Sequence, residues 1–154
     1  MRLSIDGSWS HLRSAEHAVL CTAGARQAID AVPVCFAAVS TSVVTPIDTV
    51  KPKQTTALGR LKNLERDAVA TLLCEHWDLH DWSKLWWVRA RLVRRSGHDV
   101  SHALREAGER ALREKYVQYR HTDFAEVLVF GVTDLVGWSA ADERAEGPDR
   151  TNLV

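Results

Sequence analysis

The chain has 154 residues, enough for one domain with a substantial core and no need of a second. Lys plus Arg equals Asp plus Glu at 20 each, so the strong positive field of a nonspecific nucleic-acid binder is absent and no DNA or RNA partner is expected. No apolar run reaches the roughly 20 residues of a bilayer span, and the amino end lacks the apolar stretch of a signal peptide. The expectation is a soluble, cytoplasmic protein without a membrane partner.

Residues 8–16 space Trp9, Leu12 and Ala15 on one side, which predicts a short opening helix with Ser8 as its cap. Residues 18–22, 28–38 and 42–50 are rich in Val, Ile, Thr and Ala, with turns at Gly24 and Ser40-Thr41-Ser42. They predict a three-stranded meander. Leu58, Leu61 and Leu64 recur at helical spacing and predict a helix over 55–66. Strands are expected at 68–76 and 84–94, joined by a Trp-containing loop. In the second of them Trp86, Val88, Ala90 and Leu92 take one face while Trp87, Arg89, Arg91 and Val93 take the other. A longer helix over 100–116 and a buried last strand over 127–132 complete the pattern, and the charged tail from 140 is expected to be loosely ordered. Six strands with flanking helices predict a mainly β, closed or half-closed antiparallel barrel in a single domain, 1–154. Cys21, Cys35 and Cys74, an odd number in apolar surroundings, suit reduced thiols.

The segment "VKPKQTT" carries the clearest chemistry. Pro52 fixes the angle at which the chain leaves the strand, with Lys51 and Lys53 on the bend. If Thr55 or Thr56 caps the helix that follows, its free N–H groups, two hydroxyls and the ammonium groups converge on one spot, which is a phosphate site in kind. The alternative is a plain, solvated helix entry. Four of the six tryptophans lie between Trp77 and Trp87, where they fill a core or cover a ligand or a subunit. Cys74, His76 and His80 lack a fourth ligand at zinc spacing, and His98 and His102 read as a solvated pair, so no metal is expected. No Ser-His-Asp or Cys-His pattern, paired catalytic carboxylates, Walker loop or GxGxxG is legible. In an enzyme of this kind the cofactor carries the chemistry.

The run "IDTVKPKQTTALGRLKNLERDAVATLLCEHWDLHDWSKLWWVRARL", the helix end "ALREKYVQYR" and the piece "VFGVTDLVGWSA" resemble the pyridoxamine 5′-phosphate oxidase-like split barrels, in particular the actinobacterial branch that uses the deazaflavin coenzyme F420. The resemblance covers about residues 15–141. It implies a six-stranded FMN-binding type split barrel and a homodimer with its cofactor sites at the subunit interface. The implied activity is hydride transfer from the reduced deazaflavin to a small organic acceptor. An FMN-binding oxidoreductase of the same fold, or a flavin binder without turnover, is the alternative. Lys51, Lys53, Thr55 and Thr56 would hold the cofactor phosphate, with Arg60 behind them. The strand Val32-Pro33-Val34-Cys35-Phe36 would run along the ring, and Trp82, Trp86 or Trp87, with Trp138, would wall the cleft. An acidic cofactor tail would call for basic residues such as Arg60, Arg89 and Arg91 along an exit groove. The chain departs from the family pattern at "AGARQAID", in place of an Asp-Gly turn followed by a basic residue and proline, and at "STS", which lacks the usual glycine.

Overall fold

The computed structural model describes residues 1–25, 28–48 and 56–141. Its strands are β1 (Ala18–Ala23), β2 (Ile29–Val34), β3 (Ala37–Val39), β4 (Ser42–Asp48), β5 (Val69–His76), β6 (Trp86–Arg95) and β7 (Phe124–Ser139). They form one antiparallel sheet in the order β2-β1-β5-β6-β7-β4-β3. Three helices accompany it: α1 (Ile5–Ser14), α2 (Thr56–Arg66) and α3 (His102–Lys115). No helix among the described residues is long and apolar enough to cross a membrane.

The strand order requires the sheet to curl. β2 and β3 occupy opposite edges, yet only Cys35 and Phe36 separate them in the chain. Laid flat, seven strands would hold those edges about 29 Å apart, whereas the Cα atoms of Val34 and Ala37 can lie at most about 11 Å apart. The sheet therefore rolls until its edges meet at the Cys35–Phe36 break, as a barrel with a split.

Two cores follow from the two faces. Inside the roll lie Leu20, Phe36, Leu72, Val88, Leu92, Leu128 and Phe130, each 2% exposed or less. Leu12 of α1 and Leu64 of α2 join them. α1 sits where β7 ends: the Leu3 N–H donates to Gly137 O at 3.0 Å, and the His11 ring lies tilted against Trp86 with ring centroids 4.6 Å apart. α2 docks at the other end, where buried Asn63 donates to Thr22 Oγ1 (3.1 Å) and Asp30 Oδ2 (2.6 Å). The second core lies outside the roll, where Leu112 and Tyr119 of the α3 region pack on Ala37, Val44, Val127 and Val129.

Several expectations are corrected. Among the described residues the sheet has seven strands, not six, because the stretch expected as one strand over 28–38 is cut at Cys35–Phe36. For the same reason there is no three-stranded meander: β2 pairs with β1, whereas β4 pairs with β3 and β7. β3 and β4 turn through Ser40 and Thr41, and Ser40 adopts φ 53°, a left-handed conformation that glycine ordinarily supplies. The last strand is sixteen residues long, because β6 pairs along it from Val129 to Ser139 across a bulge at Arg91/Leu92. α1 starts earlier than expected: Ser4 caps it, its Oγ accepting from Gly7 N–H at 2.9 Å, while Ser8 is buried and donates its hydroxyl to Ser4 O. Ser101 caps α3, one residue beyond the expected Val100 start. The two-residue alternation of β6 is as expected: Val88, Ala90 and Leu92 are buried, and Arg89, Arg91 and Val93 point outward.

Candidate functional site

The outward face of the sheet carries five of the described residues expected at the site: Pro33, Trp87, Arg89, Arg91 and Trp138. One cross-strand row runs Pro33, Val19, Leu73, Arg89, Val136 over β2-β1-β5-β6-β7. The next row toward the α1 end sets Glu75 opposite Trp87, and Trp87 opposite Trp138. On the other side, Cys21, Thr71, Arg91 and Asp134 continue the face. Side chains two apart on a strand share a face, which is why Trp87, Arg89 and Arg91 line up.

This face mixes apolar side chains with charges of both signs: Arg89 and Arg91 lie on it together with Glu75 and Asp134. Leu73 is 37% exposed, Pro33 is exposed, and Trp87 and Trp138 are half-buried. Arg89 is half-buried, and its Nε is shielded from water with no hydrogen-bond partner among the described residues. A guanidinium donor left in that state costs free energy until an acceptor reaches it.

Other expected residues fall elsewhere. Lys51, Lys53 and Thr55 lie outside the described residues, as do Arg26 and Gln27 of the first hairpin and the tail from residue 142. The described elements on either side are a strand, β4 (Ser42–Asp48), and a helix, α2 (Thr56–Arg66), the kinds expected there over 42–50 and 55–66. Arg60 lies on α2, half-buried and already engaged by a neighbour. Val34 points into the barrel at 7% exposure, and Cys35 packs against the outer core. Trp87 and Trp138 are brought together, but β1 and β5 stand between Trp87 and β2, about 14 Å across the sheet, and Trp138 is one strand farther. Trp86 is not on their face; it lies between His11 and His76 at the α1 end. Trp82 is on the β5–β6 loop, 65% exposed and 5.7 Å from Trp77 between ring centroids.

Among the described residues no group of three His, Cys, Asp or Glu is placed to hold a metal ion. His102 meets Glu106 at 3.5 Å, not His98. Cys74 is 1% exposed inside the barrel, and burial pushes its thiol up from 9.0 to about 12, which suits a core residue and not a metal ligand.

A polar cluster at the barrel split had no sequence signal beyond Lys115-Tyr116 at a helix end. The Phe36 N–H donates to Tyr116 Oη at 3.0 Å, and the phenol proton is shared between Phe36 O (3.0 Å) and Glu16 O (2.8 Å). Lys115 Nζ lies 3.9 Å from the Phe36 ring centroid, shielded and without a hydrogen-bond partner among the described residues. Burial lowers its pKa, opposed by the nearby Cys74 and Cys35 thiols, and burial raises the Tyr116 phenol from 10.0 to about 12. Cys74 and Tyr116 thus keep protons in the folded state that the unfolded chain gives up from about pH 9 upward. Their contribution to stability is complete below pH 9 and is lost as pH rises toward 12. Lys115 acts in the opposite sense, since folding favours its neutral form between its lowered pKa and 10.5. Urea midpoints measured from pH 8 to 11 are expected to fall, and Cys74→Ala to flatten the slope by up to about 1.4 kcal/mol per pH unit.

A groove of about 690 Å³ runs along α3, lined by Glu106, Glu109, Arg110, Arg113, Glu114 and Arg120. It shares no residue with the sheet face. Its charges satisfy one another in part, with Arg113 on Glu109 at 3.0 Å.

The sequence matches no family model and no curated relative. Solved structures do match. A conserved hypothetical protein from Mycobacterium tuberculosis superposes with TM-score 0.69 at 12% identity, covering 99% of this chain and 93% of that one. An FAD-binding protein from Mesorhizobium loti gives 0.64 at 12% identity (89% and 95%). A candidate pyridoxamine 5′-phosphate oxidase from Corynebacterium glutamicum gives 0.54 at 11% identity (90% and 98%). The structural neighbours are pyridoxamine 5′-phosphate oxidase-like split-barrel proteins. At these identities the likeness is one of fold, and haem-binding proteins share it.

Proposed function

We propose that this chain is a flavin-type oxidoreductase that binds coenzyme F420 and serves hydride transfer to a small organic acceptor, as a homodimer. The observation that carries the reading is the sheet face on which Arg89, its Nε shielded and without a hydrogen-bond partner among the described residues, stands between Leu73 and Val136 and beside Trp87 and Arg91. A shielded guanidinium nitrogen between apolar cross-strand neighbours suits an acceptor carried on a planar or apolar body, and a deazaflavin with its acidic tail offers both. The flavin-binding neighbours of the same fold support the same class of ligand.

The chain's own share is binding and shielding. Lys51, Lys53, Thr55 and Thr56, at the β4-to-α2 junction, would hold the phosphate, with Arg60 on the helix behind them. Pro33, Val34 and Cys35, on the edge strand and its break, would lie along the ring. A reduced deazaflavin supplies the hydride, and no residue is assigned as acid or base. Trp87 stands three strands and Trp138 four strands from Pro33 within one copy, so a cleft lined by these tryptophans and Pro33 would need a second copy packed on this face. That second copy would cover Leu73 and exclude water.

The test is a fluorescence titration with coenzyme F420 and, separately, FMN, for the wild type, Lys53→Ala and Arg89→Ala. Each variant is expected to weaken F420 binding roughly ten- to a hundredfold, the worth of a charged hydrogen bond. Preference for FMN would give the cofactor to the FMN-binding alternative. Binding of neither would overturn the reading and leave "KPKQTT" as a helix entry.

A further inference from the structure

Whatever lies along Val34 and Cys35 depends on how the split of the barrel is held, and among the described residues the Tyr116 side chain bridges it. The chain leaves one edge of the sheet at Val34 and joins the other at Ala37. Between them, the N–H and C=O of Phe36 have no strand partner and turn instead to one atom, Tyr116 Oη, at 3.0 Å each. The same oxygen reaches Glu16 O at 2.8 Å, just ahead of β1, the strand to which β2 is paired. One phenol thus ties both sides of the break to the carboxyl end of α3, where Tyr116 is the cap residue. The neighbouring Lys115 presses its amine on the fully buried Phe36 ring.

We infer that Tyr116 is a positioning residue for the cofactor ring: it sets the width of the split and the direction in which the Val34–Cys35 backbone faces its ligand. The inference rests on the reading that this stretch meets the ring. One consequence differs from the expectation for the strand Val32 to Phe36. The backbone groups of Phe36 are committed to Tyr116, so only those ahead of it remain to meet a ligand. Without the hydroxyl, the Phe36 N–H and C=O lose their shared partner inside the protein, and the break must shift to satisfy them.

The test compares wild type, Tyr116→Phe and Leu128→Val, the last a core truncation on β7 that leaves the Tyr116 hydrogen bonds in place. Each is titrated with F420 and with FMN, and the absorption spectrum of the bound ring is recorded, since it responds to groups at the ring's polar edge. Tyr116→Phe is expected to weaken binding about tenfold or more and to shift the bound spectrum, while Leu128→Val lowers the melting temperature but leaves both unchanged. If wild type binds and Tyr116→Phe binds with the same affinity and spectrum, the inference is overturned and the phenol is only a structural tie. It is overturned equally if Leu128→Val alters binding and spectrum as much as Tyr116→Phe does. If wild type binds neither cofactor, the functional reading fails first and the inference with it.

Discussion

Phe36→Ala is expected to cost about 3–5 kcal/mol, a large share of a total stability of about 5–15 kcal/mol. The ring is wholly shielded in the barrel core and occupies the one place where the sheet's two edges are joined by the chain. Truncation there removes the buried apolar area, leaves a cavity that the rolled sheet cannot easily collapse, and takes away the surface on which Lys115 Nζ rests at 3.9 Å. That amine finds no hydrogen bond among the described residues, so the ring face is its main compensation for burial, worth up to about 2 kcal/mol when desolvated. Two of these losses concern the same pair of side chains, and they will not add independently. Urea denaturation checks the prediction: the midpoint falls sharply in Phe36→Ala. Lys115→Met, which replaces an unpaired buried amine by an apolar chain, restores part of the loss in the double variant. An unchanged midpoint for Phe36→Ala would mean that the split relaxes freely and that the edges are held elsewhere.

The parts of the fold that are legible in the sequence are those specified by near neighbours. β6 shows its two faces in ten residues because inward Val88, Ala90 and Leu92 alternate strictly with outward Arg89, Arg91 and Val93. α2 and α3 follow from their apolar stripes. The break at Cys35–Phe36 is not legible, because the group that satisfies Phe36 comes from Tyr116, eighty residues on. β7 looks too short in the sequence because Thr133 and Asp134, outward and exposed, interrupt an apolar run that a bulge then carries further along β6. For the site, the row of Trp87, Arg89 and Arg91 follows from strand period alone. That Arg89 Nε finds no hydrogen-bond partner among the described residues depends on which residues β5 and β7 place beside it, Leu73 and Val136, and a single sequence does not state that register.

Gly137→Val is the second large effect, expected to destabilise by about 1–3 kcal/mol or more. A Cβ at this position would stand 2.7 Å from Leu3 Cδ1, 2.7 Å from Ser8 Oγ and 3.2 Å from Val88 Cγ2, so three elements meet where the glycine has no side chain. None of them can yield cheaply. Leu3 is tied to Gly137 O by its own N–H, Ser8 is spent on Ser4 O within α1, and Val88 is buried at the centre of the sheet. The least costly response is for α1 and the segment before it to lift from the barrel end. Its signature would then be regional: faster amide exchange over α1 and at Leu3, and a Trp86 fluorescence change as the tilted His11 ring withdraws, ahead of global unfolding. Uniform loss of protection across β5, β6 and β7 would show instead that the helix and sheet come apart together, and that α1 is part of the cooperative core and not a lid laid on it.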